Sequence, residues 1–425
     1  MMNGSTPRQP GAIQGLVLLL QCTLAVMGTA ILAPTIPKLI AGFHDVPRVQ
    51  FWAPFAITVP SLCVAVCAAP AGWLADVVGR RRLLMAGIAC YGLTGILPYF
   101  LHTLPQIIAS RILLGVFEAT LMTVSTTLIG DYFSAHERDR WLAGQTAVAS
   151  ISAVVLLALG GYVGDLGWRA PFLLYLLAAP LLLLVALFIR EPQIHQPSAF
   201  HPAATAAGTH ADPVATAEAP TRAGTTADTS GWSGFPWRKM TGICALTLVA
   251  AVMFYIVQIN MGVALQELGI TTSSTVGLLT AAVSIGIPVG TQIFQRCATL
   301  PVTKLLRLEF LLIAVGFIGM SHAPRLGYFL VFVSINQIGS GMILPTMLTW
   351  AMRQLGAAQR GRGTGIWQAV FALGPPLGPV VITALMAAHR GHIVPAFQVL
   401  GWAAVLCAAG AFMVRGHDRR IGCDC

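Results

Sequence analysis

Apolar runs of about 20 residues, each closed by a short polar break, repeat along the whole chain, and that is the length an α-helix needs to cross a bilayer core. Twelve can be counted, at roughly 12–42, 51–75, 83–103, 105–131, 141–164, 168–189, 240–266, 275–298, 303–322, 325–352, 363–388 and 392–414. A strand barrel would show short alternating segments instead. The first run is too long for a cleaved signal peptide and lacks its flanks, so it is read as a retained helix. One long hydrophilic segment, residues 191–238, separates the sixth run from the seventh. Its middle, Pro202 to Thr229, is rich in Ala, Thr and Pro and has little to bury, which predicts a flexible linker. Trp232, Phe235 and Trp237 then precede Arg238 and Lys239, the pattern of an interfacial anchor before a span. The pattern predicts an all-α membrane protein: twelve transmembrane helices in two pseudo-symmetric six-helix bundles, 1–190 and 239–425, joined by a cytoplasmic linker and ending in a short cytoplasmic tail.

Composition agrees. Hydrophobic residues make up 56% of the 425, charged residues 9%, and mean hydropathy is +0.76. A soluble domain carries about 25% charged residues, so soluble, disordered and nucleic-acid-binding classes are excluded. The net charge of +10 then reads as topology. If both termini are cytoplasmic, all but six of the 25 basic residues (Lys38, Arg48, Arg111, Arg169, Arg325 and Arg390) fall on inner segments. Both termini are therefore expected in the cytoplasm, with the chain multi-pass in a bacterial inner membrane. Most of the nine cysteines lie inside apolar runs, where they behave as small hydrophobes. The tail Cys423-Asp424-Cys425 reads as an unstructured end, and neither metal nor cofactor is expected.

The break after the second run reads Gly72-Trp73-Leu74-Ala75-Asp76-Val77-Val78-Gly79-Arg80-Arg81-Arg82. Gly72 lets a helix end pack closely, Gly79 permits a tight turn, and Asp76 sits among arginines with which it can pair. This loop is similar to the signature loop of the major facilitator superfamily, with Val77 where that pattern has Arg. Three further motifs resemble those of its twelve-span drug:proton antiporters: Gly28 followed by Pro34-Thr35-Ile36-Pro37, Arg111 followed by Gly115 (with Leu114 for the usual Gln), and Gly374-Pro375-Pro376-Leu377. Span five departs from them, carrying Leu156 and Leu157 before Gly160-Gly161 where a Gly-Pro pair is usual, so uptake stays open beside export. The resemblance implies a cytoplasmic latch of Gly72, Asp76, Gly79, Arg80 and Asp131. It also implies a substrate cavity lined by spans one, four, seven and ten. The matching residues are Gln21, Glu118, Met122, Tyr255, Gln258, Asn260, Asn336 and Gln337, with Trp367 as a wall from span eleven. Each amide is equally open to reading as helix–helix glue.

Charges inside spans are costly and usually face the bundle interior. In span four, Arg111, Gly115, Glu118, Met122 and Ser125 recur at helical spacing and share one face. Arg111 and Glu118 stand about 10 Å apart along the axis, too far for an easy salt bridge. Glu118 is expected to carry a coupling proton, with Arg111 biasing its release; the alternative is a static pair that fixes helix packing. Glu309 follows Lys304 and Arg307 and is expected to pair along its helix or snorkel to the inner surface. No zinc motif, nucleophile–base pair or Walker loop is present, so enzymes and nucleotide-driven pumps are disfavoured. The expected function is secondary transport by alternating access: proton-coupled efflux of amphipathic small molecules such as a drug, toxic metabolite or siderophore. The alternative is proton-coupled uptake, or facilitated diffusion, of a small organic solute. The expected partners are that substrate, protons and membrane lipids, with no nucleic acid, and one chain should work as a monomer.

Overall fold

The computed structural model describes residues 11–133, 135–191, 235–297, 299–355 and 360–411; most of the expected linker and the Cys423–Cys425 tail lie outside the described residues. The first half contains α1 (Ala12–Ala30), α2 (Ile36–Gly42), α3 (Val49–Val78), α4 (Arg80–Ile96), α5 (Leu104–Tyr132), α6 (Ala135–Gly164) and α7 (Ala178–Phe188). The second contains α8 (Trp237–Glu267), α9 (Ser273–Ser284), α10 (Gly286–Cys297), α11 (Val302–His322), α12 (Leu326–Arg353), α13 (Arg360–Ala372), α14 (Gly374–Ala388) and α15 (Ile393–Gly410). Among the described residues, 11 helical segments have the length and apolarity to cross a membrane. The predicted ninth run is α11, 21 residues long, and it completes the set of twelve.

Proline places the breaks. A 3-10 turn at Ala33–Thr35 interrupts span one where Pro34 and Pro37 withdraw their backbone donors. Span eleven breaks before Gly374-Pro375-Pro376 in the same way. Helix α3 holds Pro54, Pro60 and Pro70 and still runs unbroken for 30 residues. Two large hydrophobic cores and one small one result. The first joins α1 to α7, with Ile259 and Ala281 of the second half reaching into it; the second is built from α8, α9 and α11 to α15; the small one joins Phe294 of α10 to Leu305 and Met342.

The halves meet at the end opposite Arg80–Arg82, through close approach of small residues. A Cβ on Gly161 of α6 would lie 2.4 Å from the Ser273 carbonyl and 2.8 Å from the Gly277 Cα of α9; one on Gly277 would lie 2.5 Å from the Leu157 carbonyl. Glycine pairs of this kind let helices in lipid touch backbone to backbone. The Asp165 carboxylate accepts from the Ser274 amide at the start of α9 (3.2 Å) and pairs with Lys38 of α2 (3.4 Å). Ser274 above all, with Lys38, holds the Asp165 carboxyl below its usual range. Its contribution to this closure is therefore complete above the ordinary aspartate pKa of about 4, and is lost as pH falls through the lowered value. Asp165→Asn should weaken the closure at neutral pH, read as faster labelling of a cysteine introduced at position 35.

Toward the arginine-rich end both central helices carry exposed and buried positions. On α1, Ile13, Leu16 and Leu20 are exposed while Val17, Leu18 and Leu19 are buried. On α8, Trp237 and Val249 are exposed while Met240, Ile243 and Ala250 are buried. The second half also packs on α3, through α13 and α14.

Candidate functional site

Helix α5 brings the charged residues of span four into the first half's interior. Gly115 makes this possible: a Cβ there would sit 2.6 Å from the Pro60 backbone of α3, so only glycine lets the two helices touch. Arg111 is fully buried. Its guanidinium donates to the Tyr175 hydroxyl (2.6 Å) and to the Gly28 carbonyl, and lies 5.6 Å from the Tyr175 ring centre. Tyr91 of α4 stands beside Tyr175, ring centres 5.4 Å apart, and donates to the Leu24 carbonyl (2.5 Å). Four spans are thereby tied around Gly28. Such charge-assisted bonds in a dry interior are the strong kind.

Glu118 lies against the same glycine. A Cβ on Gly28 would come within 2.9 Å of the Glu118 Oε2, and that oxygen is buried without a hydrogen-bond partner. The described residues contain no ion pair between Arg111 and Glu118; the two terminal nitrogens of the arginine go to Tyr175 and Gly28, and its Nε is buried without a partner. Glu118 is left as a buried carboxyl with an open coordination position. Met122, one turn on, is exposed.

The other expected cavity residues take different places. Gln21 donates to its own helix at the Val17 carbonyl (3.4 Å), and its Oε1 is buried and unpartnered. Tyr255 and Gln258 on α8 are half-buried. Asn260 bonds back to the Ile256 carbonyl (3.0 Å), and Asn336 bridges α12 to the Ile313 carbonyl of α11 (3.2 Å), which is the work of helix glue. Gln337 is buried with a free Oε1. Trp367 is buried, donates to Thr247 (3.1 Å) and stacks on Phe371, whose ring lies 5.8 Å from Tyr255. Tyr91, Tyr175 and Phe371 escaped the sequence reading. A tyrosine in the middle of an apolar run was the available signal for the first two, because its hydroxyl needs a partner when buried.

Glu309 departs from expectation. It is fully buried, so it does not snorkel, and its carboxyl meets Thr346 of α12. Helix α11 is rotated to face α12 and α15 with this side, and the polar partner comes from the neighbour.

Of the residues expected to form a latch, the charged ones come together. Arg80 at the start of α4 pairs with Asp131 at the end of α5 and with Asp76 of α3 (3.2 Å). Gly79 turns the chain with φ +99°, a conformation that favours glycine, while Gly72 packs near Thr123 of α5. One participant was missed: the Glu191 carboxylate accepts from the Arg80 amide (2.6 Å) and the Arg81 amide (3.0 Å), capping the α4 N-terminus where an anion is favoured. Asp131 is the better sheltered of the two aspartates, at 25% side-chain exposure against 65% for Asp76. Asp131→Asn should therefore slow transport more than Asp76→Asn, with binding of substrate retained in both, measured as uptake rate beside equilibrium binding.

A helical bundle of two similar halves, joined through closely packed small residues and holding an unpaired carboxyl in its interior, has the architecture of a membrane transporter. The chain belongs to the Major Facilitator Superfamily, whose family model matches residues 18–379 and 243–420. It is a multi-pass membrane protein. Over 192 residues it is 30% identical to the multidrug efflux pump LfrA of Mycolicibacterium smegmatis, a match covering 44% of this chain and 37% of that protein. With the class C tetracycline resistance protein of Escherichia coli, identity is 24% over 390 residues, 88% of this chain and 89% of that one. The chain thus spans well under two thirds of LfrA and nearly all of the tetracycline protein. Among solved structures, a D-xylose-proton symporter aligns with TM-score 0.74 at 15% identity, covering 97% of this chain and 98% of that one. A bacterial homologue of the lysosomal transporter Spinster, inward-facing and unoccupied, aligns with TM-score 0.72 at 15% identity, covering 96% and 97%. These two likenesses establish the fold.

Proposed function

We propose that this chain is a proton-coupled exporter of amphipathic small molecules, working by alternating access in a bacterial inner membrane as a monomer, with both termini in the cytoplasm. Residues 1–190 and 239–425 act as the two rocking halves and 191–238 as their cytoplasmic linker. The arginine-rich end then faces the cytoplasm. Relatives whose names describe multidrug efflux, tetracycline resistance and cephamycin export support the direction.

The Glu118 carboxyl carries the reading. Its free oxygen gives a proton a place to bind, and Gly28 puts that place against span one. In the open state a substrate enters past Met122, toward Tyr255, Gln258 and the free amide oxygens of Gln21 and Gln337. Arg111, bonded to Tyr175 and Gly28, contributes a fixed positive charge that favours proton release. Asn260, Asn336 and Trp367 hold the cavity's walls in place. Asp76, Arg80 and Asp131, with Gly72 and Gly79, govern which end is open.

The test is the purified protein in vesicles with an imposed pH gradient, screened with cationic, neutral and siderophore-like probes. Accumulation of a probe that collapses when the gradient is dissipated is the expected result. Counterflow that proceeds equally well at every gradient would instead make the protein a facilitator.

A further inference from the structure

Glu118 and Glu309 are the two buried carboxyl residues among the described residues, and the reading above uses only the first. Glu309 lies on α11 against α12. The Thr346 Oγ1 is within hydrogen-bonding reach of one Glu309 oxygen and also lies 3.0 Å from the Met342 carbonyl. A hydroxyl owns one proton. When that proton goes to the Met342 carbonyl, as threonine inside a helix commonly arranges, the proton between Thr346 and Glu309 must come from Glu309. When it goes to Glu309 instead, the carboxylate has a single donor and its Oε2 has none. A neutral acid satisfies every member of this chain of groups; an anion leaves a buried charge half-supported, which is costly. The charged and titratable groups on the packed helices are Lys304, Arg307 and His322 on α11, Arg296 and Cys297 on α10, Tyr328 and Arg353 on α12, and Cys407 on α15. None of them donates to the free Glu309 oxygen.

The neighbouring backbone supplies a way to change this. Pro345 stands beside Thr346 inside α12 and has no N–H for the Gly341 carbonyl. The Thr291 hydroxyl of α10 lies 3.1 Å from that carbonyl and 3.2 Å from the Ile287 carbonyl of its own helix, so its one proton is divided between them. Helix α12 is therefore loosest where it touches Glu309, and a bend there parts Thr346 from the carboxyl and admits water.

We propose that Glu309 and Thr346 form a second proton-binding site, in the half of the chain that lacks Glu118. Glu309 holds its proton in this conformation and gives it up to water when α12 bends at Pro345. Each transport cycle then moves one proton through each half, a count that rests on the exporter reading, whereas proton binding at Glu309 does not.

The experiment has two arms that separate these. Infrared spectra of the protein in vesicles read protonated carboxyls directly, without any substrate. The Glu118→Gln protein should keep a protonated-carboxyl band at neutral pH that fades as pH is raised, and the Glu118→Gln/Glu309→Gln protein should lack it. Absence of that band at neutral pH, or a band that never titrates while the protein stays folded, overturns the proposal. In the second arm, ethidium serves as the transported probe and its reversal potential gives the protons moved per dye. Glu309→Gln keeps the hydrogen bond to Thr346 and should lower that count by one relative to the unmodified chain, whereas Glu309→Ala should also lose folded protein. A count unchanged by Glu309→Gln makes Glu309 a static clip and overturns the proposal. If the unmodified chain fails to move the dye, or any other probe, under a pH gradient, the exporter reading falls and the infrared arm still decides Glu309.

Discussion

Glu118→Gln should abolish gradient-driven transport and leave gradient-free exchange of substrate intact. The carboxyl is buried in the first half with one oxygen unpartnered, and the nearest fixed cation, Arg111, is bonded to Tyr175 and Gly28 rather than to it. Placing a carboxylate anion at mid-membrane costs about 2.5–3.5 kcal/mol on insertion scales. The group is therefore held where protonation and the arrival of water or substrate decide its charge. Glutamine has the same shape and no proton to lose. It mimics the loaded state, so the helices should pack normally and counterflow of substrate should continue. Accumulation against a gradient should fall to background. The check is a pair of assays on the same vesicles, pH-driven accumulation and counterflow. Full-rate accumulation by the glutamine protein would remove Glu118 from the coupling step.

The second large effect is expected from a single methyl group. Gly161→Ala puts a Cβ 2.4 Å from the Ser273 carbonyl and 2.8 Å from the Gly277 Cα, distances that no relaxed contact allows. Neither atom belongs to a flexible side chain, so α6 and α9 must separate. The change lies between the halves, and each half's own core is untouched. The protein should fold and insert as before, yet fail to close the end that carries Lys38, Asp165 and Ser274. Transport should drop to near background, and a cysteine introduced at position 35 should become reactive from that side. Gly277→Ala should do the same, since its Cβ would meet the Leu157 carbonyl at 2.5 Å. Asp165→Asn acts on the same closure more mildly, because it removes polar contacts at the rim and introduces no clash.

Much of the architecture was legible because the bilayer imposes a simple code. Run length marks spans. The motifs were legible for local reasons: Gly79 needs its positive φ, Gly115 faces the Pro60 backbone, and Pro34 with Pro37 breaks span one. What escaped was partnership between distant segments. Arg111 and Glu118 share a helix face, which invited reading them as a pair, but the partners of Arg111 are a carbonyl on α1 and a hydroxyl in span six. Helical spacing sees one helix at a time. Glu309 illustrates the same limit. Its basic neighbours in sequence pointed to the membrane surface, and the rotation of α11 turned it inward to Thr346. Glu191 sat at a predicted domain edge, and nothing in its local sequence shows that the start of α4 lies within reach.

The separateness of the two large hydrophobic cores bears on how the molecule can be taken apart. Among the described residues, Ile259 and Ala281 enter the other half's core and Tyr255 and Val263 pack at its edge, so a polypeptide severed between positions 192 and 234 would have neither core cut. The two pieces, made from separate messages in one cell, would each have what they need to assemble in the bilayer. They could then find one another through the glycine seam and the contacts of α3 with α13 and α14.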